Sequence, residues 1–150
     1  MSFAFCVLSY PDFVPRPQQA AAIPIRRRAG DLQICLIRKR LSAGAWGIPK
    51  GTVDSGLNHA ETALKEAWEE AGVRGRLIGD ALGTYRYEKV GRPLTVMLYV
   101  MEVLECHDDW QEAGLRERMW ASLDEAGSLL VEHPASTLLR RALRLFSAEA

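Results

Sequence analysis

Apolar positions along the chain recur at two spacings, and most of them follow the spacing of β-strands. Alternating or continuous apolar runs predict strands at 18–28, 32–38, 94–104 and 116–121, and a strand region at 74–88 that three glycines interrupt. We expect 94–104, which is rich in Val, Leu, Met and Tyr, to be a central strand buried on both faces. Pro24 suggests that the first strand lies at a sheet edge or carries a bulge.

Helical spacing appears in the middle of the chain and again near its end. Asn58 is a good N-cap, Glu61 completes a capping box with it, and Gly72 ends the middle helix. Ser122 and Glu125 form a second capping box before a short helix. The closing helix has an apolar stripe of Leu138, Leu139, Ala142, Leu145 and Phe146. A strand-rich chain with one early and two late helices predicts the α+β class or an α-β-α layering.

The first seventeen residues form the least regular part of the chain. Apolar residues at 3, 5, 7 and 8 favour a strand, whereas prolines at 11, 15 and 17 interrupt regular structure after it. An added edge strand, an interface element and a loosely held arm all fit this pattern. We therefore expect an N-terminal extension at 1–17 and one domain at 18–150.

Three carboxylates, those of Glu66, Glu69 and Glu70, lie within about one turn of the middle helix. Like charges at this spacing repel and raise one another's pKa, and a divalent cation removes the conflict. Carboxylate oxygens suit a hard ion such as Mg²⁺ or Mn²⁺. The competing interpretation is the ordinary solvated face of an amphipathic helix.

The loop and helix around these glutamates resemble the signature of the Nudix hydrolase family, G-x5-E-x7-R-E-U-x-E-E-x-G-U, where U is aliphatic. The residues that match it are Gly51, Glu66, Ala67, Glu69, Glu70, Gly72 and Val73. The preceding W-G-I-P-K-G run at 46–51 is similar to that of members acting on dinucleoside polyphosphates and diphosphoinositol polyphosphates. The resemblance implies a Nudix-like α/β/α sandwich, with a mixed β-sheet between helices.

Two signature positions differ in this chain, since Leu57 replaces a Glu and Lys65 replaces an Arg. In the family the missing pair is thought to brace the loop against the helix. Here Lys65 is free to pair with Glu61 or Glu69 at helical spacing, for a few tenths of a kcal/mol. We expect burial of Leu57 to hold the loop, and activity to be kept but reduced.

The resemblance also implies a site and a reaction. Glu66 and Glu70 would be the principal metal ligands, with Glu69 completing the shell and the backbone carbonyl of Lys50 joining it. The ion would be Mg²⁺, with Mn²⁺ as a substitute, and the reaction would be attack of water on a diphosphate. The family often adds a downstream acid, and the sequence does not single one out among Glu105, Glu112 and Glu117.

Basic residues beside these segments are candidates for phosphate binding. The candidate positions are Lys50 and Gly51 in the loop, Arg38 and Arg40 at a strand end, and Arg86 near a hairpin. An ordinary solvated basic edge is an equally good interpretation of each cationic group.

Composition narrows the class of protein. The chain has 150 residues, with 19 Lys and Arg balanced by 19 Asp and Glu. This length fits one domain, and the zero net charge argues against nucleic acid and anionic membranes as partners. Three scattered cysteines exclude a full disulfide framework and fit a reducing compartment, so we expect a cytoplasmic protein, monomeric or homodimeric.

These observations predict a Mg²⁺-dependent pyrophosphohydrolase acting on a small-molecule phosphoanhydride of the nucleoside-polyphosphate or diphosphoinositol-polyphosphate type. The alternative is a catalytically weakened Nudix-fold module that binds a ligand or serves as a scaffold. A nucleic-acid binder that uses the arginine runs is a third interpretation, which the balanced charge disfavours.

Overall fold

The computed structural model describes residues 16–42 and 44–149, and for 147–149 only the backbone. The strands are β1 (Gln19–Arg28), β2 (Asp31–Lys39), β3 (Lys50–Thr52), β4 (Val73–Leu77), β5 (Gly83–Lys89), β6 (Arg92–Cys106) and β7 (Arg116–Ser122). The helices are α1 (His59–Ala71), α2 (Leu123–Leu129) and α3 (Ser136–Glu149). The possible strand at residues 3–8 lies outside the described residues.

All seven strands belong to one mixed sheet with the main order β4-β6-β1-β2-β7. β3 pairs with β1, and β5 pairs with β6. The contact between β1 and β6 is parallel, whereas the other pairs are antiparallel.

Helices cover both faces of this sheet. On one face Ala63, Ala67 and Ala71 of α1 pack with Ala20, Ala22, Cys35, Ile37, Val73 and Met101. The small alanine side chains let α1 approach the sheet closely. On the other face the core includes Ile23, Leu36 and Leu98 from the sheet and Leu130, Leu139 and Ala142 from the region of α2 and α3. The predicted α+β class and the α/β/α sandwich are confirmed.

Of the two alternatives for Pro24, the sheet edge is wrong, because β1 lies inside the sheet between β6 and β2. Pro24 is fully buried. Its position explains why a residue without an N–H is tolerated there: β1 pairs with β3 up to Ala21 and with β2 only from Ile25. Pro24 therefore occupies a gap in the antiparallel pairing.

The region predicted as one interrupted strand at 74–88 is two strands, β4 and β5, which both pair with β6. Leu104, at the end of the predicted buried run, is 65% exposed. The register shifts there, since Arg74 faces Glu105 while Gly75 faces Val103. Leu104 is thus the extra residue of a β-bulge. In the middle of β6, Val96, Leu98 and Val100 are buried while Met97 and Tyr99 on the other face are only partly buried, so the predicted burial on both faces holds in full for one face.

Within the described part of the chain, no helix is both long enough and apolar enough to cross a membrane.

Candidate functional site

The middle helix begins and ends where the sequence predicts. The Asn58 side chain accepts from the Glu61 N–H at 2.7 Å, and the Asn58 N–H donates to the Glu61 carboxylate at 3.0 Å. Gly72 ends α1 with φ of 69°, a left-handed conformation that glycine adopts without strain. These local signals fix the positions of Glu66, Glu69 and Glu70 along the helix.

The segment before the helix is a short strand, β3, where the sequence predicted only a glycine-bearing loop. Pro49 O accepts from Ala22 N–H, and Val53 N–H donates to Gln18 O, so these flanking residues bond to β1. Because alternate residues of an antiparallel strand bond to the same neighbour, the N–H and C=O of Lys50 face away from β1. The Lys50 N–H donates to Glu70 Oε1 at 3.1 Å. The edge of β3 is thereby joined to the acidic helix.

Gly51 lies directly against the carboxylate of Glu66. A Cβ added at Gly51 would stand 2.4 Å from that carboxyl group, closer than real Cβ atoms approach. A side chain at this position would displace Glu66, so the close contact requires glycine. Glu66 and Glu70 therefore converge on the backbone of two consecutive residues, Lys50 and Gly51.

Two basic side chains form ion pairs with the three acids. Arg116, at the start of β7, donates to Glu70 Oε2 at 3.1 Å and to Glu112 Oε1 at 2.8 Å. Lys65 lies 3.3 Å from both Glu66 and Glu69. The predicted Lys65 to Glu69 pairing is confirmed, and Leu57 is partly buried as expected for the altered loop.

Burial controls the acidity of this cluster. Glu70 is 7% exposed, and desolvation raises the pKa of its carboxyl from 4.5 to about 7, although Arg116 and the Lys50 N–H oppose the change. Burial also raises the pKa of Glu66, and Lys65 opposes it. Desolvation lowers the pKa of the Lys50 ammonium. A buried acid with a raised pKa beside a cleft is typical of functional sites.

The acids line a cleft of about 490 Å³. Its other walls include the ends of β1 and β2, residues 44–48 and 50–52, and His133. Five cationic side chains line it, Arg38, Lys39, Lys50, Lys89 and Arg116, against the two carboxylates of Glu66 and Glu70. On a chain without net charge, this local excess of positive charge favours an anionic ligand.

The predicted phosphate-binding residues are only partly brought together. Lys50, Gly51 and Arg38 line the cleft, and Arg38 also pairs with Glu117 at 3.0 Å. Arg40 and Arg86 lie outside the cleft lining, and Arg40 donates to Ala113 O at 3.0 Å. Glu69 lies outside it too, bonded to Lys65. The functional roles assigned to these residues stay predictions.

Arg116 and His133 are site residues that sequence reasoning missed. His133 lines the cleft next to Gly47, and its Nδ1 accepts from the Ala135 N–H at 3.0 Å. Its Nε2 therefore carries the proton when the ring is neutral, and burial lowers the pKa of the ring. Neither residue belongs to a local sequence motif. Both are far from the acidic helix in sequence, and only the folded chain brings them to the cleft.

The downstream acids separate in the fold. Glu112 is linked to Glu70 through Arg116, and its negative charge contributes to the raised pKa of Glu66 and Glu70. Glu105 pairs with His107, and Glu117 pairs with Arg38. Glu112 is the one of the three that the fold brings beside the helix acids.

The donor set fits a hard divalent cation in part. Glu66 and Glu70 supply carboxylate oxygens, and the carbonyl of Lys50 faces the same side of β3 as its N–H. Across residues 16–42 and 44–149, no group of three or more acidic, histidine or cysteine side chains is close enough to hold a metal. A Mg²⁺ ion, which keeps several waters and binds through few carboxylates, suits a site of this kind.

Comparisons with known proteins find similar sequences and similar folds. Nudix hydrolase 21, chloroplastic, from Arabidopsis thaliana is 28% identical over 134 residues, which are 86% of this chain and 65% of that protein. Diphosphoinositol polyphosphate phosphohydrolase 2 from Rattus norvegicus is 30% identical over 118 residues, 77% of this chain and 64% of that protein. The crystal structure of C. elegans Ap4A hydrolase matches with a TM-score of 0.67 at 27% identity, covering 89% of this chain and 98% of that chain.

The chain spans just under two thirds of the length of these two curated relatives. The family model described as NUDIX domain matches residues 16–145. Since this match includes nearly all of the described residues, the chain belongs to the Nudix family.

Proposed function

We propose that the protein hydrolyses a diphosphate linkage in a small nucleoside-polyphosphate or diphosphoinositol-polyphosphate substrate, with Mg²⁺ as cofactor and Mn²⁺ as a substitute. The observation that carries this proposal is the convergence of Glu66 and Glu70 on the backbone of Lys50 and Gly51, in a cleft lined mainly by cations. Carboxylates within a cleft that is otherwise lined by cations suit a ligand that combines a metal ion with phosphate groups.

In this proposal Glu66, Glu70 and the Lys50 carbonyl hold the ion, with Glu69 acting from the edge of the site. When bound, the ion neutralises phosphate charge and increases the acidity of a coordinated water. Arg38 and the Lys50 ammonium bind and orient the phosphate groups from the cleft wall. Arg40 and Arg86, which lie outside the lining, would contact only the distal parts of a long substrate.

The lining of the cleft and the names of relatives both support the proposed substrate class. Diphosphoinositol polyphosphate phosphohydrolase 2 and Ap4A hydrolase carry names that specify substrates with several phosphates. A cleft with five cationic side chains and two carboxylates would favour such a multiply charged substrate over a singly charged one.

A second candidate function is a weakened module that binds a ligand without turnover. The observation in its favour is that Lys65 and Arg116 bond to all three helix acids, while the family's bracing pair is replaced by Leu57 and Lys65. A bound ion would compete with these contacts for the carboxylate oxygens.

Turnover assays separate the two functions. Purified protein with Mg²⁺, and in parallel with Mn²⁺, is mixed with dinucleoside polyphosphates, nucleotide sugars and diphosphoinositol polyphosphates. We expect release of phosphate or nucleotide by the wild type, near-complete loss in Glu70→Gln, and retention in Glu102→Gln, whose carboxylate pairs with Arg76 away from the cleft. Tight binding without release in every case would favour the module.

Cellular context and assembly are proposals as well. We place the protein in the cytoplasm, as a monomer or homodimer, with the activity carried by residues 18–150 and an N-terminal extension at 1–17. Fractionation of cells and light scattering of the purified chain test the location and the assembly.

A further inference from the structure

The last turn of α1 exposes backbone carbonyls that a helix cannot satisfy by itself. The Gly72 N–H bonds to Trp68 O at 3.0 Å. The next four carbonyls, those of residues 69–72, all accept from the segment 107–118, which follows β6 and includes the start of β7. Two of the donors are backbone groups: Glu112 N–H donates to Glu69 O at 3.1 Å, and His107 N–H donates to Gly72 O at 2.9 Å. The other two are side chains: Trp110 Nε1 donates to Glu70 O at 3.0 Å, and Arg118 Nη1 donates to Ala71 O at 2.7 Å. Each carbonyl at the end of α1 is therefore hydrogen-bonded to a residue that lies about forty positions later in the sequence.

Two of these donors are side chains that also support each other. Trp110 packs against Gly72, where an added Cβ would come within 2.9 Å of it. The Arg118 guanidinium lies 4.2 Å from the centre of the Trp110 ring. Arg118 donates a second bond, to His107 O at 2.7 Å, and so joins the loop at 107–115 to the end of α1.

These contacts help to hold Glu70, on which the proposed metal site depends. Glu70 is held at its backbone carbonyl by Trp110 and at its carboxylate by the Lys50 N–H. A metal-binding carboxylate must be fixed to within roughly 0.5 Å by its supporting groups, and a helix end without partners frays. Loss of the backbone bond would let the carboxylate move relative to β3.

We propose that Trp110 and Arg118 are positioning residues of the acidic site, which hold the last turn of α1 so that Glu70 and Glu66 keep their places against Lys50 and Gly51. This inference rests on the proposed function, because it assumes that the acids bind a divalent ion. Neither side chain lines the cleft, so their effect passes through the helix backbone.

Calorimetric titration with Mn²⁺ tests the inference on the intact chain. Trp110→Phe keeps a ring against Gly72 and loses the N–H, and Arg118→Lys keeps the charge and loses the planar fork. We expect Mn²⁺ affinity to fall about tenfold in each, the size typical of supporting groups around a metal site. The kcat at saturating metal should fall much less, since the bound ion then holds the carboxylates.

Arg26→Lys is the matched control, because Arg26 lies 3.8 Å over the ring of Trp120 and makes no bond to a helix carbonyl. We expect it to lower the melting temperature through loss of the Gln33 and Trp120 contacts and to leave Mn²⁺ affinity unchanged. Wild-type affinity in Trp110→Phe and Arg118→Lys, with a lower melting temperature alone, would overturn the inference and leave the proposed function intact. If the wild type itself binds no Mn²⁺, the proposed function fails and this inference fails with it.

Discussion

We expect Glu70 to make the metal-free protein less stable than it would be with a neutral side chain in the same place. Burial raises the pKa of its carboxyl from 4.5 to about 7, so ionising it in the folded state costs free energy. At about 1.36 kcal/mol per unit of pKa shift, the difference between the two pKa values corresponds to a loss of about 3 kcal/mol of folding free energy at pH 8. Because the folded pKa is the higher one, the penalty is absent below pH 4.5 and complete above pH 7.

Glu70→Gln removes the charge and keeps an acceptor for the Lys50 N–H. In EDTA we expect the variant to be more stable than the wild type at pH 8 by about 3 kcal/mol, because the pKa of about 7 already includes the attraction of Arg116. Its advantage should shrink by about 2 kcal/mol on going to pH 5, where the wild-type carboxyl is largely protonated.

Urea unfolding of both proteins at pH 5 and pH 8 measures these differences. Glu102→Gln serves as the control, because its exposed pair with Arg76 should change stability by well under about 1 kcal/mol at either pH. A Glu70→Gln protein that is equally or less stable at pH 8, with a difference that does not change with pH, would refute the assignment of a desolvated Glu70 carboxylate.

Three further predictions concern the same site. Since a proton competes with the ion for Glu70, Mn²⁺ affinity measured by titration should be about tenfold weaker at pH 6 than at pH 8, and equal affinities would contradict the raised pKa. Gly51→Ala should displace Glu66 and weaken Mn²⁺ binding by about tenfold or more, whereas Gly114→Ala, with open space around it, should have no effect. Leu57→Glu combined with Lys65→Arg should give a modest gain in rate or melting temperature, and an unchanged or poorer enzyme would show that the brace is dispensable.

Local signals explain how much of the fold the sequence could predict. The boundaries of α1 follow from Asn58, Glu61 and Gly72, which act within one turn of the helix ends. Five strand regions also follow from apolar patterns. β3 was missed because three residues that include Gly51 have no measurable period, and the bulge at Leu104 depends on a register between two strands.

The site was predictable where it is contiguous in sequence. Glu66 and Glu70 and the segment they face lie within about twenty positions, and a single spacing pattern identifies them. Arg116, His133 and Trp110 come from distant segments that only the sheet and its loops bring together. No period or motif marks these residues, so their contacts had to come from the structure.

The central claim is that Glu66 and Glu70, with the backbone of Lys50, hold a divalent ion against a diphosphate. The most direct measurement is anomalous diffraction from a crystal grown with Mn²⁺ and a non-hydrolysable diphosphate. We expect an anomalous peak within coordination distance of both carboxylates and the Lys50 carbonyl, with phosphate oxygens completing the shell and Arg116 released from Glu70. A map without a peak there, in which Lys65 and Arg116 still bond to the acids, would contradict the claim.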